Sequence, residues 1–252
     1  MSHYLIDTHC HLHDQEWFTA EQAEQFLQEA HQNNVQQIIV IGTDPQDSAA
    51  ARNFAEAHDN VFYTYGVHPE HAGLPIEPLP KLTDAHRLVA IGEVGLDYHY
   101  DGYDRTAQLR LLEQMLQLAQ DSSLPVSLHI REAFADAWSV LDNFPKLQGV
   151  VHSFTGSKKD LKQALARDFY IGVNGLATYT TPALPPLEKM LLETDAPFLT
   201  PVPFRGTINK PGYVRNIAAY LSDKLGVAEV KIAEQTTNNA KQLFHLGEAG
   251  FC

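Results

Sequence analysis

Two histidines one residue apart, His9 and His11, follow directly on an apolar lead-in, Tyr4-Leu5-Ile6. On a β-strand side chains alternate between faces, so both imidazoles point one way and Cys10 points the other. Such a pair at the end of a buried strand can grip a metal ion. The same placement recurs down the chain. His68 follows the apolar run 61–67, Glu93 ends 88–93, His129 ends 126–130, His152 falls in 149–154, and Asp195 ends 190–195. Any one of these has a plain structural reading as a cap, a turn former or a hydrogen-bonded imidazole. Together they place many ionisable groups at the carboxyl ends of buried segments, where desolvation without a cation is costly. His68 aside, four imidazoles and two carboxylates exceed what one tetrahedral ion needs, and suit two divalent ions roughly 3.5–4 Å apart with a bridging carboxylate. Glu93, in the middle of the set, is the expected bridge. A carbamylated lysine is excluded at the fourth strand, because no lysine occurs between Lys81 and Lys146.

The elements that must carry these groups alternate. Strand-like runs are expected at about 4–9, 38–42, 61–67, 88–93, 126–130, 149–154, 169–173 and 190–195. The continuous apolar run 38–42, bounded by Gly42, is typical of a strand buried on both faces. Helical periodicity appears at 21–31, from Asp47 or Ser48 to His58, at 105–120, 132–142, 157–167, 211–224 and 229–245. It is strongest at 105–120, where Leu109, Leu112, Leu116 and Ala119 share a face. The proline-rich stretch 74–80 is expected to be loop. Eight strands alternating with helices predict an α/β chain folded as a (β/α)8 TIM barrel, whose active sites form at the carboxyl ends of the strands. The rival is a doubly wound open sheet, but no Gly-rich strand–turn–helix fingerprint is present. Nothing in 1–252 reads as a linker or repeat, so a single domain is expected.

Composition narrows the function. The formal net charge of −13 argues against holding duplex nucleic acid by bulk charge, yet bound metals and a few local cations can reverse the field at the site. No apolar run is long enough to span a membrane, and the first residues lack the pattern of a signal peptide. Two cysteines, Cys10 and Cys252, cannot form a disulfide framework, so a cytoplasmic location is expected.

Six segments carry a more specific signal: Asp7-Thr8-His9-Cys10-His11, Gly66-Val67-His68-Pro69, the run Ile91 to Tyr98 (Gly-Glu-Val-Gly-Leu-Asp-Tyr at its heart), Pro125 to Arg131, Val151 to Gly156, and Leu192-Glu193-Thr194-Asp195-Ala196-Pro197. In this combination and order the chain resembles the TatD family of metal-dependent deoxyribonucleases, within the amidohydrolase-like barrels, and the likeness runs from the first strand to the last. The resemblance implies a metallo-dependent hydrolase barrel. It implies one ion held mainly by His9, His11 and Asp195, a second by His129 and His152, and Glu93 shared. It further implies Asp195 as the general base toward water. The ions could be Zn, Mg, Mn, Fe or Ni. Asp97 is expected to orient ligands or to stabilise its loop.

On the substrate side, His68 either contacts the scissile phosphate, lines the metal pocket or fixes the turn before Pro69. Arg131 either reaches a phosphate or makes a surface salt bridge. Arg205, in an Arg-Gly-Thr-Ile-Asn-Lys-Pro stretch resembling a family block, is a candidate phosphate contact, although Lys210 replaces the usual acidic residue. Ser153 stands where the family commonly has Cys. Lys158, Lys159 and Lys162 form either a solvated face or a hold on a nucleic-acid strand. The expected activity is hydrolysis of DNA phosphodiesters, trimming single strands or frayed ends from the 3′ end, with no membrane association and no obligate protein partner. The alternative keeps the binuclear centre and changes the substrate to a small-molecule amide, lactone or phosphoester. A non-catalytic binding module with a structural metal is the remaining class.

Overall fold

A computed structural model describes residues 3–73 and 86–249. The expected loop at 74–80 and Cys252 lie outside the described residues. Eight strands form one sheet in chain order: β1 (Leu5–Cys10), β2 (Val35–Val40), β3 (Val61–Tyr65), β4 (Leu88–Asp97), β5 (Val126–Arg131), β6 (Gly149–Val151), β7 (Tyr170–Val173) and β8 (Met190–Leu192). Every neighbouring pair is parallel. Cys10 bridges to Ala196, just beyond β8, so the sheet curls back on its first strand. This is the (β/α)8 barrel that the alternating pattern predicted.

Among the described residues seven α-helices surround it: α1 (Ala20–Gln32), α2 (Pro45–Glu56), α3 (Arg105–Ser122), α4 (Phe134–Leu141), α5 (Lys158–Ala166), α6 (Val214–Leu225) and α7 (Glu229–Phe244). Their starts follow local side-chain chemistry. Thr19 and Gln22 form a reciprocal capping box on α1, as do Ser157 and Asp160 on α5. Asp44 caps α2 ahead of Pro45, a few residues before the expected start. Among the described residues, the β7–β8 connection contains short 3-10 turns and no α-helix.

Alternation divides each strand between two cores. Ile6, Ile39, Ile41, Ala90, Val150 and Leu191 belong to an inner cluster that Leu243 and Phe244 of α7 join. Leu5, Ile38 and Val40 pack outward with α1, α2 and α6, while Val94, Leu96 and Leu128 pack outward with α3 and α4.

Strand bounds shift by a few residues, and three of the shifted ends, those of β4, β6 and β8, carry site residues. β4 continues four residues past Glu93, pairing Asp97 with Arg131, so Glu93 leaves from mid-strand beside a register irregularity between Ile91 and Val94. β6 and β8 stop early because Ser153 and Asp195 adopt left-handed φ values of 45° and 58°. Few non-glycine residues adopt that conformation, and composition does not announce it. His152 and Asp195 therefore sit on turns just beyond their strands.

The turn into α2 also ties down the loop after β1. Asp47 accepts from His13 Nε2 at 2.8 Å, and from the Thr43 N–H and hydroxyl at 2.8 and 2.9 Å. Burial works to raise the Asp47 pKa, but these bonds prevail and hold it at about 2. A depressed carboxyl pKa stabilises the fold above its unfolded value, about 3.9, and that contribution fades as pH falls toward the folded value. Asp47→Asn should therefore cost about 1–2 kcal/mol near neutrality, with the gap from wild type narrowing between about pH 4 and pH 2. Urea unfolding across this range checks it, and a pH-independent gap contradicts it.

Candidate metal centre

The carboxyl ends of the strands bring the expected residues to one place. Glu93 is its hub. Its Oε2 lies 3.4 Å from His9 Nε2, while Oε1 lies 2.9 Å from His129 Nδ1, 3.2 Å from His152 Nε2 and 4.0 Å from His68 Nε2. The two oxygens of one carboxylate thus face different histidines. Asp195 Oδ1 stands 3.6 Å from His11 Nε2 and 3.7 Å from His9 Nε2. The rings of His9 and His152 stack at 3.6 Å.

The barrel makes room for this crowding. A Cβ on Gly66 would fall 2.2 Å from the Gly92 carbonyl carbon and 2.3 Å from Glu93 N, so glycine lets β3 press against β4 where Glu93 departs. A Cβ on Gly172 of β7 would meet Glu193 Oε2 at 2.2 Å. That space admits Glu193, which the sequence reading did not single out. Its Oε1 accepts from Ser153 N at 2.6 Å and lies 3.2 Å from His152 Nδ1. Its place two residues before Asp195 is the sequence hint of this second carboxylate. Asp97 orients the next histidine, with Oδ2 accepting from His129 Nε2 at 3.0 Å. Asp7, also missed, is fully buried and accepts from the Thr194 N–H and hydroxyl at 2.9 and 2.6 Å, joining β1 to the turn after β8.

Protonation equilibria record the same geometry. Burial works to raise the Glu93 pKa, but the charges of His152 and His9 and the bonds from His129 and His152 outweigh it and hold Glu93 well below the usual carboxylate range. Asp195 is likewise held low, with the bond from His11 leading against burial. Burial opposes charge on His129, yet Asp97 and Glu93 raise its pKa to about 9. His68 behaves oppositely: burial, reinforced by His129, drives its pKa down to about 4.

This donor set fits divalent metal. His9 is 1% exposed, and neither of its ring nitrogens makes a hydrogen bond. A buried polar atom left that way is costly, and an ion on Nε2 relieves it. Three groups of mutually close donor atoms could hold ions: His9, His11 and Glu93; His9, His152 and Asp195; and His68, Glu93 and His129. The last group brings His68 within ligand reach, in keeping with the metal-pocket alternative among its sequence readings. Its Nδ1 also accepts from Glu70 N at 3.3 Å, so it shapes the turn at Pro69 as well.

The substrate-side candidates are dispersed around the rim. Arg131, ending β5, lies 4.0 Å from Asp97 Oδ2 and over the Tyr100 ring at 5.2 Å. Arg205 is exposed and stacks on Tyr179 at 3.7 Å. Lys158, Lys159 and Lys162 are exposed on the first turns of α5. Lys210 pairs with Glu29 of α1 and lies over Phe26 and Tyr213, so its ammonium is engaged within the fold.

Glu193 acts on a proposed ligand, His152, without lining the cavity. Glu193→Gln keeps volume and an acceptor for Ser153 N–H while removing the charge behind the imidazole. It should weaken metal binding about 10–100-fold with the circular dichroism spectrum unchanged. Calorimetric metal titration checks this, and an unaltered affinity contradicts it.

Comparison with known proteins gives the centre its lineage. Residues 6–245 match the family described as TatD related DNase. The metal-dependent hydrolase YabD of Bacillus subtilis (strain 168) is 32% identical over 255 residues, spanning 96% of this chain and 99% of the relative. A 3′-5′ ssDNA/RNA exonuclease TatD of Erwinia tasmaniensis is 33% identical over 246 residues, spanning 90% and 95%. Among solved structures, YjjV, a TatD homolog from Escherichia coli K12, superposes with a TM-score of 0.87 at 31% identity, covering 96% of this chain and 98% of that one. With its sequence matched nearly end to end and its barrel shared with a solved homolog, the chain belongs to the TatD family.

Proposed function

We propose that this chain is a metal-dependent phosphodiesterase that trims single-stranded or frayed DNA from its 3′ end. The observation that carries the metal-centre reading is Glu93, whose two oxygens face separate sets of imidazoles, as a bridging carboxylate requires. In this reading His9, His11 and Asp195 hold one divalent ion, His129 and His152 the other, and Glu93 both. Imidazole-rich donors suit Zn, Fe, Ni or Mn, and phosphodiester hydrolysis is also served by Mg. The relatives' names, hydrolase and exonuclease, support the nuclease reading over a small-molecule hydrolase.

When bound, the ions would lower the pKa of water and stabilise the attacking and leaving oxygens. The chain's residues do the rest. Asp195, ionised and 13% exposed at the cavity, accepts the proton of the attacking water. A new P–O bond forms in line with the bond to the 3′ oxygen of the preceding nucleotide. That bond breaks, its electron pair goes to the 3′ oxygen, and the oxygen takes a proton. Asp97 and Glu193 hold His129 and His152 in place. His68 lies nearest the scissile phosphate, and Arg131 and Arg205 meet phosphates farther along the strand. Among the described residues no helix is long and apolar enough to cross a membrane. Cytoplasmic residence and action without an obligate protein partner complete the proposal.

The test is a metal-reconstituted assay on single-stranded DNA, duplex DNA, RNA, a small phosphodiester, and generic amides and esters. Asp195→Asn should lower turnover by about 10²–10⁴-fold while the fold persists. Arg205→Ala should impair oligonucleotide cleavage more than hydrolysis of the small phosphodiester. Turnover of an amide or ester by loaded enzyme, with no cleavage of any nucleic acid, would transfer the assignment to a small-molecule hydrolase.

A further inference from the structure

The cavity over the metal centre has a volume of about 760 Å³, within the usual range for one small ligand and far short of a polynucleotide. Its floor is the cluster around Glu93 and Asp195. Among the described residues its wall carries Asp14, Glu16, Asp44, Asp47 and Glu70, and no lysine or arginine. For a site that acts on a polyanion this is a paradox. The exposed cations Arg205, Lys158 and Lys159 lie elsewhere and do not line the cavity.

At the mouth stand two aromatic side chains, Trp17, 47% exposed, and Phe198, 43% exposed, in edge-to-face contact at 5.1 Å. Phe198 also meets the His11 ring at 6.2 Å. Both are fixed to loops that carry the centre. Phe198 N donates to the Asp195 carbonyl at 2.8 Å, and Trp17 N to that of Asp14 at 3.2 Å. Half-exposed aromatic faces beside a polar cavity suit a nucleobase, which stacks on them whatever its identity.

These observations resolve the paradox if the cavity receives the end of the strand and not its middle. We propose that it is an end-binding subsite: it takes the 3′-terminal nucleoside of a single strand, stacks the base on Trp17 and Phe198, and excludes a 3′-phosphate. This rests on the nuclease reading. The phosphate linking the terminal nucleoside to the strand lies on the metal centre, and the only group beyond it is a neutral 3′-hydroxyl, which carboxylates can accept as a hydrogen-bond donor. A 3′-phosphate would bring further negative charge against the carboxylates of the wall. The remaining strand leaves the cavity toward the arginines and lysines of the rim.

The experiment uses the metal-loaded enzyme and 5′-labelled single strands ending in a 3′-hydroxyl or a 3′-phosphate. The hydroxyl end should be cleaved with at least about tenfold higher kcat/KM. That ratio should narrow with added salt and in Glu16→Gln/Glu70→Gln, both side chains being exposed. Trp17→Ala should raise KM for the hydroxyl-ended strand about tenfold, with Trp17→Phe restoring most of it. A non-hydrolysable phosphorothioate strand should quench tryptophan fluorescence in the wild type and not in Trp17→Phe. Equal cleavage of the two ends, an unchanged KM in Trp17→Ala, or internal fragments as first products would overturn the subsite. Failure to cleave any nucleic acid, with turnover of a small ester or amide, would instead overturn the nuclease reading and this subsite with it.

Discussion

A single carboxylate organises this molecule. Glu93 is buried, ionised and within 4.0 Å of ring nitrogens from His9, His68, His129 and His152. Desolvating one carboxylate and four imidazoles costs free energy that the apolar barrel must supply, and positive charge close to Glu93 offsets it. Without metal, the raised pKa values of His129 and His152 favour protons that supply that charge, and in the proposed holoenzyme divalent ions do. The centre is therefore a charge-compensation problem before it is a catalyst, and the same requirement explains why second carboxylates, Asp97 and Glu193, stand behind two of the histidines.

The fold meets that requirement through exact spacing more than through any unusual element. Gly66 and Gly172 remove side chains where backbone and carboxylate must pass. Ser153 and Asp195 turn the chain in left-handed conformations that aim the residues just past β6 and β8 inward. The hydrogen bonds between Asp7 and Thr194 lock the first strand to the turn after the last, so His9 and Asp195 share one frame. Each of these features is local, yet each fixes the distance between groups that lie far apart in sequence.

Much of this could be read from the chain. Apolar runs alternating with helical periodicity encoded the barrel because buried parallel strands and amphipathic helices have different periods. The six candidate ligands stood out because charged and imidazole side chains are conspicuous at the ends of apolar runs. The supporting groups were not legible in the same way. Glu193 looked like one more residue of the segment that ends in Asp195, Asp7 like the lead-in to His9, and neither role exists until the strands are assembled. The extension of β4 beyond Glu93 was hidden because Gly92 and Gly95 flank Glu93, and glycine reads as punctuation that ends a strand. The partner of Lys210 was hidden for a related reason: Glu29 lies on α1, far away in the chain. The carboxylate wall of the cavity was invisible as a unit, since Asp14, Asp44 and Glu70 come from three different loops.

The polarity of the rim gives the proposed chemistry a direction, with negative charge at the cavity and positive charge beyond it. All of this depends on Glu93 as a shared ligand. The most direct test is a crystal structure of metal-loaded protein with anomalous scattering collected at the metal edge. The account predicts two ions roughly 3.5–4 Å apart, with one Glu93 oxygen on each at about 2.0–2.2 Å. A single ion at saturating metal, or two ions with Glu93 bound to neither, would contradict it.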